Sequence, residues 1–162
     1  MNEFALIQKY FKKLTYNNPS ALNLNDDVFF DKKNNVVVSS DTYVEGVHFL
    51  DFRMPDLVIK KILRSSISDL YCKGVKPKFI FIGASGNKKS FSKKNLNLIY
   101  KSLKQEQKKY KIKLSGGDTT KSNKTTFTIT SLGYSKKIVQ RNKCKNNDDI
   151  YVTGNLGDSY LG

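Results

Sequence analysis

The spacing of hydrophobic and polar positions predicts an amphipathic helix at the start of the chain. Phe4, Ile7, Phe11 and Leu14 recur at intervals of three and four residues, which places them on one face of a helix. Asn2 stands directly before this pattern, and asparagine is a residue type that caps helix N-termini. We therefore expect the chain to open with a helix.

Two longer helices are expected further along the chain. Pro55 suits the first helical position and Gly74 suits the residue after a last turn, so one helix should lie between them. The next helix should begin at a cap formed by Ser90 or Ser92. The predicted inner faces comprise Val58, Ile59, Ile62, Leu63, Ile67 and Leu70 in the first of these helices, and Leu96, Ile99, Leu103 and Gln107 in the second.

Short β-branched and aromatic runs predict the strands. Residues 28–30 and 36–38 are separated by a polar loop and should form a hairpin. Further strands are predicted at 79–82, 111–114, 125–132 and 149–152. Because strands and helices alternate, the pattern predicts an α/β or α+β domain.

Length and composition restrict the class of protein. The 162 residues, 38% of them apolar, are enough for one domain with its own core and exclude a disordered tail. No apolar run approaches the roughly 20 residues of a membrane span, and the first residues lack the cleavage site of a secretory signal. Cys72 and Cys144 stand alone, without metal-binding spacing, and predict free thiols in a reducing cytoplasm.

The net charge of +15 has several explanations. Only three of the 29 basic residues are arginine, and the lysines are dispersed along the chain, often beside asparagine. Proteins that read nucleic acids usually rely on clustered arginines. We therefore favour the codon bias of a genome rich in A and T, and keep a phosphate-rich small ligand and nucleic acid as alternatives.

The acidic residues point to chemistry more directly. Eleven of the 14 acids are aspartate, a residue type that loops, turns and ligand sites favour over helix surfaces. Asp26-Asp27, Asp41 and Asp118 lie beside predicted strands, and Asp69 lies in an apolar helical stretch where it should be partly buried. If they converge, two charges about 4 Å apart repel by roughly 4 kcal/mol, which divalent cations such as Mg²⁺ would relieve. Turn caps and single hydrogen bonds explain the same residues, so the spacing alone leaves both interpretations open.

Two further features carry weak signals. Gly116-Gly117 offers main-chain amides to which a phosphate can approach closely, but neither a Walker loop nor a GxGxxG pattern is present. His48 is the single histidine, and such a residue is more often packed or hydrogen-bonded than reactive.

Taken in order, the motifs resemble the amino-terminal half of the thiamine-monophosphate kinase family. The stretch around His48 is the most specific part, and the resemblance runs from about Phe4 to Gly162. The wider superfamily includes the aminoimidazole ribonucleotide and selenophosphate synthetases. The matching residues are Asn25-Asp26-Asp27, Ser40-Asp41-Thr42, Glu45-Gly46-Val47-His48-Phe49, Ser68-Asp69-Leu70, Lys73-Gly74-Val75-Lys76-Pro77, Gly116-Gly117-Asp118-Thr119, Arg141 and Val152-Thr153-Gly154.

The resemblance implies a set of site residues. The implied metal ligands are Asp27, Ser39, Ser40, Asp41, Asp69 and Asp118. The implied ATP contacts are Gly117, Asp118, Arg141 and Tyr100. His48 would contact thiamine monophosphate, and Asp41, Asp118 and Arg141 would act electrostatically, with no covalent catalysis.

The resemblance also implies an activity and a fold. The family transfers the γ-phosphate of ATP to thiamine monophosphate with the help of several Mg²⁺ ions. The resemblance further implies a homodimer in the cytoplasm that binds neither a membrane nor nucleic acid. The implied fold class is α+β, an α/β two-layer arrangement with a mixed β-sheet packed by helices, as in the amino-terminal domain of the aminoimidazole ribonucleotide synthetase-like fold. Residues 1–154 would form the ATP- and Mg²⁺-binding domain, and 155–162 would begin the connection to a second domain.

The resemblance leads to expectations about folding and activity, and the sequence departs from the family pattern at two positions. We expect the 162 residues to fold and dimerise but to lack kinase activity, because the family's second domain contributes part of the substrate pocket. Asn25 stands where the family has glycine and Ser66 where it commonly has asparagine, changes that affect loop geometry rather than the ligands.

Two alternatives remain at this point. The chain could belong to another ATP-using synthetase of the same superfamily, from which the motif around His48 distinguishes it. It could also be a non-catalytic nucleotide- or nucleic-acid-binding module that uses its basic surface. Binding of that kind would be independent of metal and would collapse with salt.

Overall fold

The computed structural model describes residues 2–152 and residue 154. Its body is a mixed five-stranded sheet, and two long helices cover one face of this sheet. The strands are β1 (Phe29–Asp31), β2 (Val36–Val44), β3 (Pro77–Gly86), β4 (Lys113–Lys121) and β5 (Thr126–Tyr134). The helices are α1 (Glu3–Leu6), α2 (Pro55–Cys72) and α3 (Lys93–Tyr110). The fold class predicted from the sequence is confirmed.

The strand order is β1-β2-β5-β3-β4. The β1–β2, β2–β5 and β5–β3 pairs are antiparallel, whereas β3 and β4 run parallel. A parallel pair needs a long crossover, and α3 supplies it between β3 and β4. The predicted hairpin is present as β1 and β2, although β2 continues to Val44, well beyond the valine run.

The hydrophobic core lies between α2 and the central strands. All six residues of the predicted inner face of α2 are buried, and Leu63 and Leu70 are fully enclosed. They meet buried residues from the sheet, including Val37 of β2, Ile80 of β3 and Ile129 of β5. Because successive residues of a strand point to opposite faces, the alternate residues of β2 and β5 form the opposite, more open face of the sheet.

The predicted end of α2 and the predicted start of α3 are confirmed. Gly74 follows α2 with φ +73°, a left-handed conformation that glycine adopts without strain. Ser92, rather than Ser90, caps α3, and its Oγ accepts a hydrogen bond from the N–H of Asn95 at 3.4 Å. The inner face of α3 packs less tightly than that of α2, since Leu96 remains 48% exposed.

The predicted opening helix is only partly α-helical. A single α-turn, α1, is followed by a π-helical turn at Ile7–Phe11 and a 3-10 turn at Lys12–Thr15. Phe4 and Leu14 are exposed. Short helices depend on tertiary packing for their regularity, and within the described residues no element covers this apolar stripe.

The predicted strand at 149–152 was wrong. These residues have no regular structure, and Ile150 is 94% exposed. A strand needs a neighbour to satisfy its backbone, and this segment pairs with neither edge of the described sheet. Thr153 and residues 155–162, where a connection to a second domain was expected, lie outside the described residues.

No helix in the described part of the chain combines the length and apolarity that crossing a membrane requires.

An ion pair joins the two long helices. Arg64 of α2 donates from Nε and Nη2 to the two carboxylate oxygens of Glu106 of α3, at 2.7 and 2.8 Å. The Glu106 side chain is only 3% exposed, whereas that of Arg64 is 45% exposed. Hydrogen bonding to Arg64 lowers the pKa of Glu106 below its ordinary value.

We predict that Arg64→Met destabilises the fold by about 2–3 kcal/mol at pH 7, because it leaves a buried carboxylate without its partner. Urea unfolding measures the loss. Folding lowers the pKa of Glu106, so the ion pair stabilises the fold at pH values above the glutamate pKa of the unfolded chain. This contribution disappears as the pH falls through the pKa of the folded state. The difference between variant and parent should therefore shrink below the ordinary glutamate range.

The matched control is Arg53→Met, which removes an arginine from an exposed pair with Asp51. Because solvent screens both groups, this substitution should leave the urea midpoint unchanged within error. Equal losses for the two variants would contradict the assignment of Arg64–Glu106 as the stabilising link between the helices.

Candidate functional site

Two of the acidic motifs lie inside strands, not in the loops after them, which corrects the sequence-based expectation. Asp41 belongs to β2 and pairs with Ile129 of β5, and Asp118 belongs to β4 and pairs with Gly83 of β3. β2 extends this far because β5 offers a complete antiparallel partner along its whole length. The position of each carboxylate is therefore set by strand register.

Asp41 points to the helix-covered face of the sheet. Its Oδ2 atom is buried and has no hydrogen-bond partner among the described residues. Burial raises the pKa of Asp41, and the nearby charge of Asp69 raises it further. A buried polar atom without a partner costs free energy, so this oxygen is a candidate for a ligand that the protein alone does not provide.

Asp69 approaches the same place from α2. Its Oδ2 accepts a hydrogen bond from the Oγ of Ser39 at 2.9 Å, and Ser39 is buried on β2. Burial again raises the pKa of Asp69, and the charge of Asp27 adds to the effect. The partial burial predicted for Asp69 is confirmed. Helix α2 and strand β2 thus bring two carboxylates together.

Asp27 is the third carboxylate near Asp41 and Asp69, and it lies in the loop before β1. Its Oδ1 accepts a hydrogen bond from Nη2 of Arg141 at 2.5 Å. The charge of Asp27 acts on both Asp41 and Asp69. We call Asp27, Asp41 and Asp69 the acidic cluster. Asp27 is the one member whose carboxylate is already paired with an arginine.

Asp26 and Lys73 form a buried pair beside the cluster. Lys73 Nζ lies 2.5 Å from Asp26 Oδ1 and 3.8 Å from Asp27 Oδ2. Burial acts to raise the pKa of Asp26, but the hydrogen bonds from Lys73, Arg141 and Asp27 outweigh it and lower the pKa. The sequence analysis listed Lys73 within a matching motif but assigned it no role, because its partner Asp26 lies on a distant segment of the chain.

The other implied metal ligands lie elsewhere. Ser40 faces the open side of the sheet, where its hydroxyl bonds to that of Thr130 at 2.9 Å. Asp118 is three strands away from Asp41, which corresponds to about 14 Å at the usual strand spacing. Over residues 2–152 and 154, no three histidine, cysteine or acidic side chains form a ready metal-binding group.

The acidic cluster nevertheless fits a hard divalent cation. Mg²⁺ prefers carboxylate oxygens and water, and Asp41 presents a buried oxygen without a partner. Asp69 lies beside it, held by Ser39. Asp27 lies nearby, paired with Arg141, and its side chain is 40% exposed.

A cleft of about 560 Å³ separates α3 from the β3–β4 edge of the sheet. Leu96, Ile99 and Leu103 form its helical wall, and Gly116 and Gly117 lie on the opposite side. A side chain at Gly117 would place its Cβ 2.0 Å from the carbonyl oxygen of Ile82, so only glycine fits there. The implied ATP residues Gly117 and Asp118 therefore border an apolar cleft, and Tyr100, 63% exposed, follows Ile99 on α3.

His48 lies in the turn after β2. Its Nδ1 accepts a hydrogen bond from the N–H of Val44 at 3.0 Å, and its ring packs edge-on against Tyr43 with centroids 5.6 Å apart. Burial raises the pKa of Tyr43 to about 12, so this phenol stays neutral. Because Nδ1 accepts, the neutral imidazole carries its proton on Nε2, which makes His48 a hydrogen-bond donor.

A second cavity, of about 790 Å³, lies near this turn. Its polar lining is satisfied internally: Glu45 accepts from the N–H of Thr125 at 3.0 Å, and Ser90 bonds to the Thr125 hydroxyl at 2.8 Å. We therefore locate the candidate site at the acidic cluster and the cleft beside Gly117.

Sequence comparison relates the chain to a group of kinases. It is 35% identical over 172 residues to a thiamine-monophosphate kinase of Buchnera aphidicola from Schizaphis graminum, covering 99% of this chain and 51% of the relative. It is 32% identical over 168 residues to the enzyme of the same name from Haemophilus influenzae, covering 100% of this chain and 50% of the relative. The chain thus spans about half the length of these relatives.

Structure comparison gives the same picture. AaThiL complexed with AMPPCP and TMP superposes with a TM-score of 0.78 and 25% identity, over 88% of this chain and 45% of that one. A HypE–HypF complex matches with a TM-score of 0.64 and 19% identity, over 87% of this chain and 46% of that one, which bears on the fold alone.

A family model covers the body of the domain. Residues 23–135, from the loop before β1 to the end of β5, match the model described as AIR synthase related protein, N-terminal domain. This match includes Asp27, Asp41, Asp69 and Asp118, whereas Arg141 lies beyond it. The chain therefore belongs to the AIR synthase related family, and residues 23–135 are its N-terminal domain.

Proposed function

We propose that this chain is the ATP- and Mg²⁺-binding domain, residues 1–154, of a thiamine-monophosphate kinase. The whole enzyme would transfer the γ-phosphoryl group of ATP to thiamine monophosphate, forming thiamine diphosphate and ADP. Its relatives of that name and the complex of AaThiL with AMPPCP and TMP support this choice of substrates.

The observation that carries the proposal is the acidic cluster. Three carboxylates approach one another around Asp41, whose buried Oδ2 has no partner in the described residues. A protein that needed these groups only for stability would pair them, because an unpartnered buried carboxylate is costly. The cluster therefore supports a site that is completed by a cation.

We propose that Asp27, Asp41 and Asp69 hold Mg²⁺, with Ser39 orienting Asp69 through its hydroxyl. When bound, Mg²⁺ neutralises the charge of the phosphates so that two anionic substrates can approach each other. A phosphate oxygen of thiamine monophosphate is already a nucleophile, so the protein needs no general base. Arg141 uses one of its five donors on Asp27 and keeps others for a phosphate oxygen.

The cleft beside Gly117 suits the nucleotide. Its wall of Leu96, Ile99 and Leu103 offers an apolar surface for the adenine ring, and the side-chain-free backbone at Gly116 and Gly117 allows close approach. The Nε2–H of His48 suits a phosphate oxygen of the acceptor substrate, since Nδ1 is occupied by the Val44 amide.

We propose that the chain forms a homodimer through the open face of its sheet. Within one chain Asp41 and Asp118 lie three strands apart, and strand register places Asp118 in the same row as Gly83, Thr128 and Thr42, on the open face of the sheet. A second copy packed against that face would cover this row, on the side of the sheet opposite the acidic cluster. Phe81 and Tyr134, 38% and 53% exposed, give the face apolar area to bury.

We further propose a cytoplasmic location. Cys72 and Cys144 are exposed free thiols, which are typical of a reducing compartment.

We predict that Asp41→Asn abolishes Mg²⁺-dependent binding of a non-hydrolysable ATP analogue while raising the melting temperature of the metal-free protein. The charge that Asp41 buries costs stability, and an amide of the same shape removes it. A gain of about 1 kcal/mol corresponds to roughly 2–4 °C in a domain of this size. Calorimetry measures binding, and thermal unfolding measures stability.

The matched control is Asp149→Asn, which removes the same charge from an exposed position. Binding that persists in Asp41→Asn, or that needs no Mg²⁺ and collapses with added salt, would overturn the proposal in favour of a nucleic-acid- or nucleotide-binding module.

We predict that His48→Ala weakens binding of thiamine monophosphate by about tenfold, the effect of losing one charge-assisted hydrogen bond. Isothermal titration with and without Mg²⁺ measures this affinity. Nucleotide affinity should stay unchanged, because the cleft beside Gly117 is formed by other elements. An unchanged affinity for thiamine monophosphate would favour a sister synthetase of the superfamily.

We predict that Thr128→Arg converts the dimer into a monomer. Thr128 lies in the middle of the open face, hydrogen-bonded to Thr42 at 2.9 Å, and a second copy would press against it. Light scattering after gel filtration gives the mass, and Lys104→Glu on the exposed side of α3 is the control. A parent protein that is monomeric at high concentration would rule out the dimer.

A further inference from the structure

Lys73 is the lysine that the fold buries. Within the described residues it is the single lysine in the buried class, with 5% of its surface exposed. An ammonium group loses several kcal/mol of hydration when it is buried, so it needs a compensating partner. That partner is Asp26, whose Oδ1 lies 2.5 Å from Lys73 Nζ and whose side chain is 4% exposed.

Asp26 joins three parts of the chain. Its Oδ1 accepts from Lys73 Nζ and from the N–H of Asp27 at 2.9 Å, and its Oδ2 accepts from the N–H of Arg141 at 3.1 Å. The end of α2, the loop before β1 and the segment after β5 therefore meet at one carboxylate. Asp26 itself is not among the residues we propose as metal ligands.

The groups held in this way belong to the proposed site. Asp27 is a member of the acidic cluster, and Arg141 carries the guanidinium that pairs with it. Lys73 Nζ also lies 3.8 Å from Asp27 Oδ2. Without the ammonium, Asp26 would add an unbalanced negative charge beside Asp27, and the like charges would push the loop away.

We propose that Lys73 is a positioning residue: through Asp26 it holds Asp27 and Arg141 in the arrangement that receives Mg²⁺ and the nucleotide phosphates. The effect on Mg²⁺ and nucleotide binding rests on the proposed function, whereas the positioning of Asp27 and Arg141 is a property of the metal-free protein. Lys73 supplies a fixed positive charge at the end of α2, where the helix dipole also favours a cation.

The first experiment is hydrogen exchange on the metal-free protein, with Lys73→Met compared with the parent. The N–H groups of Arg141 and Asp27 should exchange about tenfold faster or more, the effect of weakening a hydrogen bond to a charged group. The N–H of Val139 is an internal control, because it donates to the backbone carbonyl of Lys73 and keeps its acceptor. Lys76→Met, an exposed lysine three residues away, should change none of these rates.

The second experiment measures binding. Lys73→Met should weaken Mg²⁺-dependent binding of the ATP analogue by about 10- to 100-fold, the range found when residues behind metal ligands are lost. Binding of adenosine, which lacks phosphates, should be unchanged. Lys73→Arg, which keeps the charge, should recover part of the lost affinity. A general loss of structure would weaken adenosine binding as well.

A double variant keeps the test valid if Lys73→Met fails to fold. Asp26→Asn with Lys73→Met removes both buried charges, and the asparagine has one acceptor oxygen where Asp26 has two. The double variant should fold yet still exchange the Arg141 N–H rapidly. Parent-like protection of that N–H in either variant overturns the inference. A parent protein that binds no Mg²⁺-nucleotide overturns the proposed function instead, and the exchange rates still decide the role of Lys73.

Discussion

The packing of α2 against β2 and β5 is the interaction on which both the fold and the proposed site depend. The same helix that buries Leu63 and Leu70 in the core carries Asp69 and is followed directly by Lys73. The apolar face of α2 fixes the distance and rotation of this helix relative to the sheet. Asp69 is therefore held beside the buried Ser39 of β2. The hydrophobic core thus positions charged groups that contribute nothing to it.

The local charge balance explains why a protein with a net charge of +15 has an acidic site. Near the site, two cations are directly paired with aspartates: Lys73 with Asp26, and Arg141 with Asp27. Asp41 and Asp69 are left with raised pKa values, and a buried oxygen of Asp41 finds no partner in the described structure. The remaining positive charge lies on dispersed surface lysines and does not reach these two carboxylates.

The two faces of the sheet differ in the groups that they carry. Its covered face holds the core and the acidic cluster, while the open face presents hydrogen-bonded hydroxyl pairs such as Ser40–Thr130. The looser packing of α3 opens the cleft beside Gly117, which a tighter helix would close. Stability comes mainly from α2, and the less buried α3 is free to border a ligand site.

Local sequence patterns were enough to predict the two long helices, the strands of the sheet and the residue types of the site. The buried stripe of α2, the cap at Ser92 and the glycine after α2 follow from local rules that act over a few residues. Periodicity could not show that residues 149–152 lack a strand partner, or that the opening helix lacks a surface to pack on, because both depend on distant parts of the chain.

Which polar residues come into contact depends on the complete fold. Strand register put Asp41 and Ser40 on opposite faces and left Asp118 three strands away from the cluster. The meeting of Asp26, Lys73 and Arg141 joins residues up to 115 positions apart, a separation that no local pattern encodes. Local chemistry selects the residue types in a chain, whereas register and packing select their neighbours, because neighbours are set by the whole fold.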